Sequence, residues 1–484
     1  MSTMQEIFNI IESGANSAMT LEQIIKTEIE DWLLSQERQW MQIGQKYYSG
    51  DSDILDRIRT VVGEGGVPVE VENLANNKLV HNFVRKLVDQ KIGYLLSKPL
   101  SVQTANKTYA DLLEDFFDKS FLRLLKNLGK EAVNKGKAWL HVYYDENGQL
   151  SFKKIPSEEI IALWKDAAHT DLDAIIRIYE IEAYLGIQKK TITKVEFWDR
   201  SGVQRYELTD AGLIPDVELG EYSGHFTVIQ NDKEQAMNWE KIPFICFKYN
   251  DEEIPLVKFV KSLVDDYDAK KSDNANNLED LPNSIYVIKN YDGTDLGEFR
   301  RNMSVFRAVK VTDEGGVDTI NLEINTEAYK EHQDRNYEDI FRFGRGVNFN
   351  VDKIGNSPSG IALKFLYSDL DMDANIIETE FQASLEQLLW FIDQHLANTT
   401  GQDYTDESVE VIFNRDIIIS ETDVITNAKN SVGMISDETV IANHPWVTNV
   451  QEELDRLKKQ QEEDKKQFDD KDGFDDLGSQ GEQT

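Results

Sequence analysis

The sequence predicts an α+β protein in which helical blocks flank a strand-rich middle that forms an antiparallel sheet. Three observations carry this. Apolar residues recur at helical spacing up to about residue 97 and again from Ile254 onward. Between about 138 and 250 the pattern changes to short β-prone runs separated by turn signals. Finally, 484 residues that are 40% hydrophobic and 10% aromatic are enough for a large core, with roughly two to four domains as a prior.

Residues 1 to about 60 are expected to be helical, with Ile25, Ile29, Trp32 and Leu33 on one face and Gly50 as the stop. "GEGGVP" lacks the lysine of a phosphate-binding loop and reads as a plain turn. In "NNKLVHNFVRKLVDQKIGYLLSKPL", Val80, Phe83, Val84, Leu87, Val88, Ile92 and Leu95 share a helical face that ends at Pro99. Two β-prone runs around Asn147-Gly148 make a hairpin signal, and Asp199–Gly202 make another turn.

From Ile254, Leu256, Val260, Leu263 and Tyr267 keep helical spacing, but "DAKKSDNANNLEDLPN" then loses the apolar stripe. A helix of that kind is expected to project outward and pack beside copies of itself. "SIYVIKN" reads as a strand and "FRAVKVTDEGGVDTINLEI" as two strands around Gly315-Gly316. From Ser284 to Lys310 there are five Lys or Arg against three Asp or Glu, a basic patch in an acidic chain. A second helix follows, with Glu331–Arg335 and Glu338–Arg342 as i,i+4 pairs. A loop rich in Asn, Gly, Ser and Pro then leads into a long helix, about 370–398, striped by Ile377, Phe381, Leu385, Leu388, Ile392 and Leu396. "SVEVIFNRDIIIS" reads as strand and the stretch from Thr426 as helical with a break at Pro445. The tail from about 465 is expected to be disordered.

The formal net charge of −36, from 88 Asp and Glu against 52 Lys and Arg, argues against nucleic-acid binding by a broad basic surface. It leaves room for a protein that surrounds DNA and lets it slide. The single cysteine, Cys246, reads as a buried, inert thiol. Seven histidines show no metal-ligand spacing. No apolar run reaches the roughly 18 residues of a membrane span, and the first residues do not read as a signal peptide. The one candidate for metal chemistry is "DLDMDANIIETE". There Asp369, Asp371, Asp373, Asn375 and Glu380 fall at calcium-loop positions, but Ala374 stands where that loop needs glycine. The competing readings are a two-metal carboxylate site and an Asp-rich helix N-cap. No nucleophile–base constellation accompanies them, so the expectation is a protein that is not an enzyme and carries no cofactor.

"NNKLVHNFVRKLVDQKIGYLLSKPL", "NWEKIPFICFKYND", "YDAKKSDNANNLEDLPNSIYVIKNYDGTDLGEF", "SPSGIALKFLYSDLDMDA" and "GMISDETVIANHPWVTNVQEELDRL" occur in this order from Asn76 to Leu457. As a set they resemble the portal proteins of long-tailed bacteriophages of Gram-positive hosts. The resemblance implies a ring of twelve subunits at one capsid vertex, a channel through which double-stranded DNA is packaged and ejected. It implies N-terminal helices and wing over 1–253, stem helices at 254–278 and 326–346, and a clip at 279–325 between them. A tunnel loop at 347–363, a long wing helix and strand over 364–424, a helical crown at 425–464 and an acidic tail at 465–484 complete the outline. Implied partners are the terminase large subunit, a head–tail adaptor, and scaffolding and major capsid proteins, with no membrane. The implied location is the virion, and the host cytoplasm during assembly. Lys353, Asn356, Ser357, Ser359 and Lys364 are the candidates to touch DNA from the loop. Arg300, Arg301 and Arg307 are the candidates for partner or DNA contact at the clip.

Overall fold

The fold is described from a computed structural model. It describes residues 20–62, 66–70, 74–185, 188–230, 233–279, 284–291, 295, 297, 299, 301, 305, 311–321, 326–349, 360–415, 421–442, 444, 446, 447, 450 and 452–461. The chain divides into two compact units, one of residues 1–44, 87–256 and 345–484, the other of 45–86 and 257–344.

The first unit is built on antiparallel sheets. Strands Ile160–Trp164, Leu172–Leu185, Gln188–Asp199, Gly202–Thr209 and Gly212–Pro215 pair each with the next, and Tyr222–Ser223 adds to Gly202–Thr209. Both faces of this sheet are covered, which is why Ile160–Trp164 is buried at every position rather than alternating. Helix Leu21–Leu34 lies on one face, setting Ile25, Ile29 and Trp32 against Leu163, Ile176, Val195 and Phe197. Leu33, expected on that face, is instead exposed. Thr20 opens the helix with a capping box: its hydroxyl accepts from Gln23 N–H while Gln23 Oε1 accepts from Thr20 N–H. The other face packs Trp164, Ile175 and Trp198 against Trp139, Phe244 and Cys246.

Those last residues belong to a three-stranded sheet ordered Phe244–Lys248, Lys137–Tyr144, Leu150–Ile155. Its hairpin turns at Asn147-Gly148 as expected: Gly148 takes φ 74°, and Asp145 Oδ1 accepts from the N–H groups of Asn147 and Gln149. Helix Lys119–Lys135 enters the central strand through Gly136, at φ 92°. A Cβ there would stand 2.1 Å from the Glu253 carbonyl oxygen, so glycine is required twice over.

The long helix spans Gly360–Thr400, beginning ten residues before the expected start. Its stripe Ile377, Phe381, Leu385, Leu388, Ile392 and Leu396 is buried throughout. Phe381 meets the Phe247 ring edge-on, and Ser384 Oγ donates to the Cys246 carbonyl at 2.7 Å, which seats the helix on the three-stranded sheet. Within the expected strand 408–420, Val409–Ile412 forms and pairs with Ser101–Thr104, while 416–420 lie outside the described residues.

The second unit holds helices Val257–Glu279 and Thr326–Phe343 and a hairpin of Ser284–Tyr291 with Val311–Asn321. Here the expectation of two strands around Gly315-Gly316 is corrected. One strand runs through both glycines, with Gly316 opposite Lys289. The expectation that the polar half of Val257–Glu279 projects outward is also corrected. Asp268, Ser272 and Asn276 continue the buried face of Val260 and Val264 at steps of four, and the extended segment 77–81 lies along them. Asp268 accepts from His81 N–H at 3.0 Å and from Ser52 Oγ at 3.1 Å, Ser272 Oγ accepts from Leu79 N–H at 2.9 Å, and Asn276 Oδ1 accepts from Asn77 N–H at 2.6 Å. The stripe is polar because a non-helical strand of backbone must find acceptors there.

Candidate functional site

The segment expected to carry the DNA-touching loop leaves helix Thr326–Phe343 and reaches the long helix at Gly360. Lys353, Asn356, Ser357 and Ser359 lie outside the described residues, as do Arg300 and Arg307. Lys364 falls within the first turns of the long helix, and Arg301 is exposed. The acidic tail from 465 likewise lies outside the described residues. What is described is the ground in which the loop is rooted.

That root begins at Arg345, whose φ of 48° turns the chain in the left-handed region, costly for any residue but glycine, Asn or Asp. Two side chains of helix Phe83–Leu95 hold the turn. Lys91 Nζ donates to the Arg345 carbonyl at 3.2 Å. Gln90 makes a two-way clasp with Val347, Nε2 donating to its carbonyl and Oε1 accepting from its N–H, both at 2.9 Å. Lys91 also pairs with Asp373 Oδ2 of the long helix at 2.7 Å, and both side chains are buried. Burial pushes the Lys91 ammonium down and the Asp373 charge only partly restores it. Tyr249 OH donates to Asp373 Oδ2 at 2.9 Å, and burial together with that carboxylate pushes the phenol well up. Arg345 Nη1 approaches the other oxygen at 3.4 Å. The loop's entry and the long helix are thus fixed to each other through one buried carboxylate.

On the opposite face of the same stretch of helix, Arg415 makes a second strap. Its guanidinium donates to Asp371 Oδ1 and Asn375 Oδ1, both at 2.7 Å, and pairs with Glu378. Tyr94 OH adds a donor to Asp371 at 3.0 Å. Positions 371, 375 and 378 are one helical face, while Asp373 lies two residues, about 200°, away from Asp371.

This overturns both metal readings of "DLDMDANIIETE". A calcium loop needs its carboxylates wrapped about one point, and here they stand splayed on a continuous helix, with Asp371 and Asp373 already paired with cations. No group of three or more potential ligands converges among the described residues. The N-cap reading fails as well, since Asp369 is some nine residues inside the helix. Sequence reasoning missed Gln90, Lys91, Arg345 and Arg415. Lys91 alone left a signal: it interrupts the face of Leu87, Val88 and Leu95, where an amine must find a buried acid.

Elsewhere in the same unit Glu253 gathers Lys137 at 2.7 Å, His169 Nδ1 at 2.7 Å and Lys248 at 3.5 Å. Burial pushes the Glu253 carboxyl up, but Lys137 and His169 outweigh it and hold it down at about 2. Cys246 beside them is buried, and burial pushes its thiol up, as expected of an inert cysteine. Among the described residues no helix is long and apolar enough to cross a membrane.

A body of helices and antiparallel sheets is the class these elements define, and comparison gives the family. Residues 34–467 match the family described as phage portal protein, SPP1 Gp6-like. The chain belongs to that family. The portal protein of Bacillus phage SPP1 is 31% identical over 445 residues, 90% of this chain and 87% of that protein. That of Clostridium phage phiCD119 is 30% identical over 431 residues, 86% and 91%. Among solved structures, a chain of the neck of a native gene transfer agent particle, computed with C12 symmetry, aligns over 76% of this chain and 90% of its own at 12% identity, with a TM-score of 0.37.

Proposed function

We propose that this chain assembles into a twelve-subunit ring at one vertex of a phage capsid and forms the channel for packaging and ejecting double-stranded DNA. The observation that supports this most is family membership across 34–467, with relatives named portal protein at 30–31% identity over nearly the whole chain. In this reading helices Val257–Glu279 and Thr326–Phe343 are the stem and the intervening hairpin belongs to the clip. The tunnel loop is the segment from 347 up to the start of the long helix at Gly360, and 425–464 is the crown. The role is structural and mechanical rather than enzymatic, with no cofactor.

The buried clamp at Asp373 gives this reading its mechanics. Force exerted on the loop by moving DNA is carried to the long helix through Lys91, Gln90 and Arg345. Lys353 and Lys364 would supply sparse positive charge in an acidic ring, and few phosphate contacts favour sliding over stable binding. Asn356, Ser357 and Ser359 are the uncharged neighbours of that contact. Arg300, Arg301 and Arg307 would meet the terminase large subunit during packaging and the head–tail adaptor afterwards, or DNA at the exit. Scaffolding and major capsid proteins would seat the ring in the shell, in host cytoplasm before release.

The test is deletion of Asn356–Gly360 in an assembling phage. Rings should form normally while the DNA packaged per particle, measured by quantitative PCR after nuclease treatment, falls severalfold. Unchanged packaging would make the loop a passive connection.

A further inference from the structure

A cavity of about 390 Å³ opens beside the long helix, outside the clamp. Its floor is apolar: Leu172, Ile242, Phe244 and Phe391, the last three almost wholly buried. Its rim carries two cations, Arg200 and Lys241, and one carboxylate, Asp171. Both cations are short of countercharge. Arg200 stands 3.9 Å from Asp171, which Lys165 already holds at 3.0 Å. Lys241 lies over the Trp390 ring at 4.6 Å and, among the described residues, forms no ion pair. Burial pushes its ammonium down, with Asp171 and Glu240 only partly opposing this. In a chain of net charge −36, an apolar pocket rimmed by two under-neutralised cations selects an aromatic side chain followed by carboxylates.

Phe-Asp-Asp occurs twice in the chain, both times beyond Gln461, as Phe468-Asp469-Asp470 and Phe474-Asp475-Asp476, whereas Tyr144-Asp145-Glu146 and Tyr337-Glu338-Asp339 lie within the fold with their rings partly buried. We propose that this cavity is a docking site for the chain's own C-terminal segment, one of the two phenylalanines filling the apolar floor while its aspartates neutralise Arg200 and Lys241. Phe474 lies thirteen positions beyond Gln461, a reach of up to roughly 45 Å when extended. Tethering would give each motif a high effective concentration, and two copies double the chance of occupancy. The acidic tail would then be a latch on the sheet-bearing unit rather than mere solvated charge.

The probe is a fluorescently labelled peptide of residues 465–478, titrated by polarisation into the full-length chain carrying F468A and F474A. Saturable binding is expected, about tenfold tighter than to the unaltered chain, whose own tail competes. Raising salt from about 0.05 M to about 0.5 M should weaken it severalfold. Adding R200E and K241E should abolish it, as should replacing both phenylalanines of the peptide by alanine. Circular dichroism checks that the variants fold. If charge reversal unfolds the protein, R200Q with K241Q replaces it, with a severalfold loss expected. Absence of saturable binding, equal affinity for the two full-length chains, or indifference to the Arg200 and Lys241 changes would overturn the proposal.

Discussion

Two helices in this molecule bury a long stripe by opposite means. The helix Gly360–Thr400 buries aliphatic and aromatic side chains at nearly every inward position from Ile377 to Leu396. The helix Val257–Glu279 does so only as far as Tyr267, and then buries Asp268, Ser272 and Asn276. The first faces a sheet whose backbone groups are largely paired within it, with one edge carbonyl, that of Cys246, met by Ser384, so it can otherwise offer hydrocarbon. The second faces an extended segment with free N–H groups, so it must offer acceptors. Hydropathy therefore reports what a helix packs against as much as whether it is buried.

The sharpest way to break that comparison is to truncate one side chain of each stripe. Phe381→Ala should cost about 3–5 kcal/mol, through lost transfer energy and a cavity beneath Phe247, and be read as a large drop in the thermal unfolding midpoint. Acid should expose the charged part of the same unit. Because Glu253 is held at about 2, below its ordinary 4.5, it contributes stability that is complete above about pH 4.5 and lost as pH falls toward about 2. The effect is on the order of 2–3 kcal/mol, and Glu253→Gln should flatten the slope of unfolding midpoint against pH in that window. Asp268→Ala strips the acceptor from His81 N–H and Ser52 Oγ and should cost about 1.5–3 kcal/mol. Hydrogen exchange should show its effect concentrated in residues 45–86 and 257–344. Ser272→Ala removes one acceptor, from Leu79 N–H, and about 1 kcal/mol should suffice. If Asp268→Ala and Ser272→Ala are silent, the polar stripe is solvated in solution and the contrast fails.

Legibility in the sequence follows the same division. The apolar stripe of the long helix, the turn at Asn147-Gly148, the Asp199–Gly202 turn and the inert Cys246 are all readable, because local spacing or residue type suffices. The buried role of Asp268, Ser272 and Asn276 is not, because a polar residue looks identical whether it meets water or a backbone N–H. Nor is the clamp, since Lys91, Arg345, Asp373 and Arg415 come from four distant places in the chain and only the fold joins them. The aspartates of "DLDMDANIIETE" keep calcium-loop spacing, but Asp371 and Asp373 find their partners in cations of the protein itself. A strand running unbroken through Gly315-Gly316 shows the converse error, a turn signal overridden by pairing with Ser284–Tyr291.

The central claim, a ring around a channel, is tested most directly by the mass of the purified chain in solution, by light scattering, with negative-stain images of the same sample. The account predicts particles of about twelve subunits with a stain-filled central hole. A chain that stays monomeric at high concentration, and equally when co-expressed with scaffolding and major capsid proteins, would contradict it.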